Sequence, residues 1–231
     1  MLFANSLHIL CFGDSLTEGV YLGAPRPHPY SIALKTGLEK AFPTFNITMD
    51  NQGVGGDRVT SPPGNFLPRM QKAYEEVHPH NPYDWAIVLG GTNDISVKYD
   101  ADDIYKALQR VWAIPLNHGT KVLALTIPEC GFDDSPITAH GDELNKLIME
   151  HKDKDYYTFD LHTAVPFRGI PEKKRNELWG DPVHYSPKGY DLVGRLLTKR
   201  LTELIQAQIA YGDAQNADGR MELKKRGSSP G

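Results

Sequence analysis

Short apolar runs alternate along the chain with longer stretches in which apolar residues return every three or four positions. The runs at 7–12 (LHILCF), 46–49 (NITM), 85–89 (WAIVL), 122–127 (VLALTI) and 156–159 (YYTF) have the length and composition of strands. Those at 85–89 and 122–127 are apolar without alternation, the habit of central strands covered on both faces in a parallel sheet. Helical spacing marks 30–42, 101–117, 138–151 and 187–208. Within 101–117, Ile104, Ala107, Leu108, Val111 and Trp112 make a one-sided stripe. Within 187–208, Pro187 suits a first helical turn, and Leu192, Leu196, Leu197, Leu201, Leu204 and Ile205 follow at helical spacing. Strands and helices in alternation predict an α/β fold, with a parallel sheet sandwiched by helices.

The pattern stops at Gly212. Residues 212–231 hold Ala214, Ala217, Met221 and Leu223 as their apolar members, too little to offset the cost of ordering them. The expected organisation is therefore one domain over 1–211 and a disordered C-terminal tail over 212–231. The basic cluster Lys224, Lys225 and Arg226 reads as part of that solvated tail.

Composition narrows the choices. A chain of 231 residues can bury a sizeable core. Its 25 basic and 29 acidic residues leave a net charge of -4, which offers no general attraction to nucleic acid or an anionic membrane. No run approaches the roughly 18 apolar residues of a membrane span. No Lys or Arg precedes Arg26, so the apolar N-terminal stretch lacks the charged start of a secretory signal; the expected location is cytoplasmic. The two cysteines, Cys11 and Cys130, do not resemble a disulfide framework and are read as thiols. His78 and His80 have no Cys or carboxylate cluster beside them, so no metal is expected there.

Chemistry concentrates in four segments. FGDSLTEG (12–19) closes the first strand, where ligands of open parallel sheets bind. Ser15 there would have an exposed hydroxyl and a backbone N–H near a helix start, although Ser15 to Glu18 also has the spacing of a helix capping box. NQGVGGD (51–57) follows the second strand; its glycines let backbone approach a substrate, and it lacks the spacing of a dinucleotide-binding loop. LGGTND (89–94) closes the third strand and offers Asn93 as a side-chain donor to an oxyanion, or as a support for its own turn. GDPVHYSPKGY (180–190) enters the last helix with Asp181 and His184 three apart, so that both can reach one site. A general base needs such a carboxylate to fix its tautomer and stabilise the imidazolium.

These segments occur in the order and surroundings of the blocks of the GDSL/SGNH hydrolase superfamily, which the chain resembles from Ile9 to about Leu204. FGDSLTEG is similar to its nucleophile block, GVGGD to its glycine block, GGTND to its asparagine block and DPVH to its Asp-x-x-His block. The resemblance implies a three-layer α/β/α sandwich with a five-stranded parallel sheet, flavodoxin-like in type. It implies a serine esterase with Ser15 as nucleophile, His184 as base and Asp181 as orienting acid. The implied oxyanion hole is the Ser15 and Gly56 N–H groups with the Asn93 side chain, Gly56 matching better than Gly53 or Gly55. No metal or organic cofactor is implied. The G-x-S-x-G elbow of α/β-hydrolases is absent around Ser15, which has Thr17 after it.

Loops at 24–29, 58–66, 128–136 and 163–179 are expected to surround the site, mixing Phe66, Phe132, Phe167 and Trp179 with Arg58, Arg168 and Arg175. They suit a small-molecule ester with a short acyl group, an acetylated carbohydrate among the candidates. An acyltransferase using the same residues, and a non-catalytic α/β binding module in which the motifs are caps and turns, are the alternatives. His162, at a strand end, is the second choice of base.

Overall fold

Trp85, Ala86, Ile87, Val88 and Leu89 are all buried, and their run forms the central strand of a five-stranded sheet. The computed structural model describes residues 5–23, 25–132 and 135–226, with 135 and 212–226 described by backbone alone. In it, β1 (Asn5–Gly13), β2 (Phe45–Gly53), β3 (Trp85–Leu89), β4 (Lys121–Leu125) and β5 (Tyr156–Phe159) pair in parallel in the order β2-β1-β3-β4-β5. The helices are α1 (Ser15–Glu18), α2 (Tyr30–Ala41), α3 (Phe66–Glu76), α4 (Thr92–Ser96), α5 (Ala101–Asn117), α6 (Ser135–Glu150), α7 (Leu161–Ala164), α8 (Glu172–Leu178) and α9 (Pro187–Arg226). One helical layer pairs α2 with α9, the other pairs α5 with α3 and α6, which gives the three-layer α/β/α sandwich. Both layers are needed, because successive side chains of β1 and β3 point to opposite faces and both sets are apolar.

The strand order places the site. The chain leaves β1 to one side for β2 and returns to the other side for β3. Loops leaving the carboxyl ends of β1 and β3 therefore diverge, and a crevice opens between them. Ser15 follows β1 and Asn93 follows β3, so both border that crevice.

Two expectations change. β4 ends at Leu125 rather than continuing through 127, because the Asn145 side chain takes both the N–H (2.8 Å) and the carbonyl (3.0 Å) of Ile127. The helix α3 was not expected; Phe66, Met70 and Ala73 are buried at helical spacing, and Pro68 sits in the first turn, where its missing N–H costs nothing. The backbone of α9 is helical to Arg226. Residues 214–225 include Ala214, Gln215, Ala217, Met221, Glu222, Leu223, Lys224 and Lys225, all strong helix formers, so propensity there acts without an apolar stripe. Residues 227–231 lie outside the described residues, as do 1–4.

In α9, Val193, Leu197, Leu201 and Ile205 are buried at four-residue spacing. Each contributes roughly 1.5–3 kcal/mol by leaving water. No helix among the described residues is long and apolar enough to cross a membrane. Cys11 is buried and Cys130 half-buried, and neither is in a disulfide.

Candidate active site

The turn after β1 is built by Asp14, whose carboxylate accepts the Leu16 N–H at 2.9 Å and caps α1. Ser15 is thus the first helical residue and not the cap, and its own N–H has no acceptor among the described residues. Glu18 does not close a capping box either. Its carboxylate accepts the Gly55 N–H at 2.8 Å, which ties α1 to the glycine loop after β2. That approach depends on Gly53, where a Cβ would fall 2.0 Å from the Glu18 nitrogen. Burial pushes the Asp14 carboxyl up to about 7; the Leu16 N–H opposes this, while the nearby charge of Asp94 adds to it.

The Ser15 hydroxyl lies 2.9 Å from His184 Nε2, and His184 Nδ1 lies 2.9 Å from Asp181 Oδ2. An ionised carboxylate only accepts, so Nδ1 carries the proton and Nε2 accepts from the serine hydroxyl. The other Asp181 oxygen accepts the N–H groups of Val183 and His184, each at 2.7 Å. Partial burial works against the Asp181 charge, but these N–H groups and the His184 ring outweigh it and hold the carboxyl below the usual range. The turn closes on itself through the His184 carbonyl, which accepts from Gly180 N–H at 2.9 Å. Beneath it Trp179 is buried, packed on Tyr185 (4.3 Å between ring centres) and Phe167 (5.2 Å). Trp179 is a support for the turn and not a lining residue.

Opposite Ser15, Asn93 donates its side-chain N–H to the Asp57 carbonyl at 2.9 Å and lies 3.4 Å from an Asp14 carboxylate oxygen. In the glycine loop, Gly53 N–H is taken by Asn51 (3.0 Å) and Gly55 N–H by Glu18 (2.8 Å). Gly56, with φ at +76°, has an N–H with no acceptor among the described residues. The buried Asp94 accepts the N–H groups of Val59 and Thr60, both at 2.9 Å, which ties the loops after β2 and β3 together.

Arg69 of α3 completes this frame, and sequence reading missed it together with its helix. Its guanidinium donates to Asp57 (2.7 Å), to the Gln52 carbonyl (2.8 Å) and to the Gly13 carbonyl (2.9 Å), and it stacks on Phe12 and Phe66. The strand ends that carry Ser15 and the glycine loop are thereby pinned to each other.

A cavity of about 480 Å³ opens beside Asn93 and His184, between α4, the loop after β4 and α6. Of the expected loops, that after β4 and Arg168 border it, whereas Arg58 and Asn65 border a second cavity of about 440 Å³ beyond the glycine loop. Asp133 and Asp134 of the former loop, and Ala24, lie outside the described residues. The 19–29 stretch is held on α9 instead, by His28 against Asp191 (2.9 Å) and the Tyr190 hydroxyl on the Val20 carbonyl (2.6 Å). His162 lies in the cavity wall, accepting from Asn145 at 3.2 Å, and it is His184 that reaches Ser15. His78 and His80 stack in an exposed loop, and no group of three metal-binding side chains occurs among the described residues.

A hydroxyl, an imidazole and a carboxylate in one hydrogen-bonded chain, at the switch point of a parallel α/β sheet, define a serine-type hydrolytic enzyme by class. The sequence pattern of the GDSL-like Lipase/Acylhydrolase family matches residues 11–192, and the chain belongs to that family of ester hydrolases. Similar solved structures include a lipolytic G-D-S-L family member from Veillonella parvula, 20% identical over 81% of this chain and 94% of that one, with a TM-score of 0.65. An acetylxylan esterase from Geobacillus stearothermophilus is 18% identical over 86% and 95%, at 0.64. A carbohydrate acetylesterase family member from Sinorhizobium meliloti is 18% identical over 87% and 99%, also at 0.64. At these identities the likeness establishes the fold. No curated protein is significantly similar in sequence.

Proposed function

We propose that this enzyme cleaves carboxylic esters through an acyl-enzyme on Ser15. The observation that carries the reading is the Asp181–His184–Ser15 chain, with both links at 2.9 Å. Ser15 Oγ attacks the ester carbonyl as its proton passes to His184 Nε2, and Asp181 stabilises the imidazolium formed. The carbonyl oxygen becomes an oxyanion facing the Ser15 N–H, the Gly56 N–H and the Asn93 side chain. Gly56 is favoured for this part over Gly53 and Gly55, whose N–H groups are occupied. Asn93 suits it because its amide is anchored on the Asp57 carbonyl at 2.9 Å, while its second bond, to Asp14 at 3.4 Å, is the long one that an oxyanion would replace. Donors held in place before reaction cost no reorganisation as charge develops. The tetrahedral intermediate then collapses, His184 gives its proton to the leaving alcohol, and water activated by the same imidazole releases the acid.

All atoms and protons of this cycle are supplied by the side chains, the ester and water, so the chemistry calls for no cofactor. The substrate is a small ester with a short acyl group. Acetyl groups on carbohydrate fall in this class, and the acetylxylan esterase and carbohydrate acetylesterase folds support it. The test is Ser15→Ala, expected to lower kcat on p-nitrophenyl esters by on the order of 10⁶ with an unchanged fold. The wild type should also gain one fluorophosphonate adduct by mass, on Ser15. Retention of more than about a tenth of the rate would remove Ser15 from the chemistry.

A further inference from the structure

The cavity beside His184 is large for an acetyl group. A methylene takes up about the ~30 Å³ share of a water molecule in the liquid, so acetyl would fill roughly an eighth of the space and an eight-carbon chain roughly half. The volume concerned is about 480 Å³. Its walls beside the reacting groups are apolar: Ile95 on α4, Ile127 after β4, Ile137 on α6 and Val183 next to His184.

Three of the polar groups that also border it, Asn145, Glu129 and Arg168, have protein partners, while the buried Thr92 hydroxyl has none among the described residues. Asn145 holds the backbone of Ile127. One Glu129 oxygen accepts the N–H groups of Phe167 (2.6 Å) and Arg168 (2.7 Å), and Arg168 donates to the Phe132 carbonyl (2.7 Å). Polar groups satisfied in this way offer a ligand little beyond shape, which favours hydrocarbon as the occupant.

One position keeps the space open. Gly141, on α6, faces the cavity, and a Cβ built there would meet Ile127 Cδ1 at 3.6 Å, an ordinary contact, and nothing else nearby. A larger side chain at 141 would therefore be accepted by the helix and would project into the cavity.

We propose that this cavity is the acyl pocket, that it selects chains of about four to eight carbons over acetyl, and that Gly141 sets its depth. This rests on the reading of Ser15 as nucleophile and replaces acetyl, as the preferred acyl group, with a longer chain. A p-nitrophenyl ester series from acetyl to dodecanoyl tests it. In the wild type kcat/KM should rise by about threefold per methylene to roughly eight carbons and then fall. Gly141→Leu should lower the octanoyl-to-acetyl ratio of kcat/KM by about 30-fold or more. Gly141→Ala, a milder change that favours the helix, should shift the optimum to shorter chains. A flat or falling wild-type profile, or an unchanged octanoyl-to-acetyl ratio in both variants, overturns the pocket assignment while Ser15-dependent acetyl hydrolysis still stands. If no ester is turned over and Ser15 takes no fluorophosphonate, the reading beneath it falls as well.

Discussion

Arg69 meets Asp57 at 2.7 Å, and through that pair a residue that approaches no substrate fixes the carbonyl on which Asn93 is hung. Asp57 is almost fully buried at 4% side-chain exposure, so removing its partner strands a charge at a cost of roughly 3–5 kcal/mol. Arg69→Met should thus lower the melting temperature by several degrees. It should also reduce kcat more than KM, by about 10², because a misplacement near 1 Å is enough for that. Arg69→Lys, which keeps the charge but loses the three-way fork, should rescue stability better than kcat. Equal loss in kcat and in folded fraction would reduce Arg69 to a packing residue.

Asn93→Ala tests the oxyanion donor itself. Its bond to substrate strengthens as the carbonyl becomes an oxyanion, so kcat should fall by roughly 10²–10³ with KM nearly constant. A rise in KM alone would assign Asn93 to ground-state binding.

Much of this arrangement was legible along the chain, for a local reason. The five strands announce themselves because buried strands are continuous apolar runs; three of the four chemical motifs sit at the end of one of them and the fourth leads into α9. Ser15, Asn93, Asp181 and His184 stand in short motifs whose neighbours shape the turn. Arg69 has no such motif. It lies on a helix obscured by Pro62, Pro63 and Pro68, and its partners are carbonyls far away in sequence. The link from Glu18 to Gly55 spans 37 positions, and the cavity wall comes from α4, α6, α7 and three loops, which no single window displays. Beyond residue 211 the sequence has helix propensity without an apolar face, which leaves no periodic signature.

Asp14 predicts a pH dependence of stability. Folding raises its carboxyl from 3.8 to about 7, chiefly by burial. The stability it confers is therefore complete below about pH 4 and is lost as pH rises through 7, since the folded state then carries a charge it shields poorly. Urea midpoints of the wild type should fall over that interval relative to Asp14→Asn, whose side-chain oxygen can still cap Leu16. Parallel curves for the two proteins would mean that Asp14 ionises in the ordinary carboxylate range.

The Asp181–His184 pair predicts non-additivity. His184→Ala should remove nearly all activity, by on the order of 10⁶. Asp181→Asn should cost about 10⁴, because an amide favours the wrong imidazole tautomer and cannot stabilise the imidazolium. Groups that act as one unit are lost once, so the double variant should be barely slower than His184→Ala. Asp181→Asn also deletes a carboxyl that the His184 and Val183 N–H groups hold below the usual range, against the effect of burial. The stability from that depression is present above the ordinary Asp range and is lost as pH falls through the folded value. The Asn variant should therefore lack the lowest-pH limb of the wild-type acid unfolding curve, while Ser15→Ala, which leaves the carboxylate in place, should retain it. Losses that multiply in the double variant, or an acid limb shared by all three proteins, would separate the two residues and return His162 as the base to be tested.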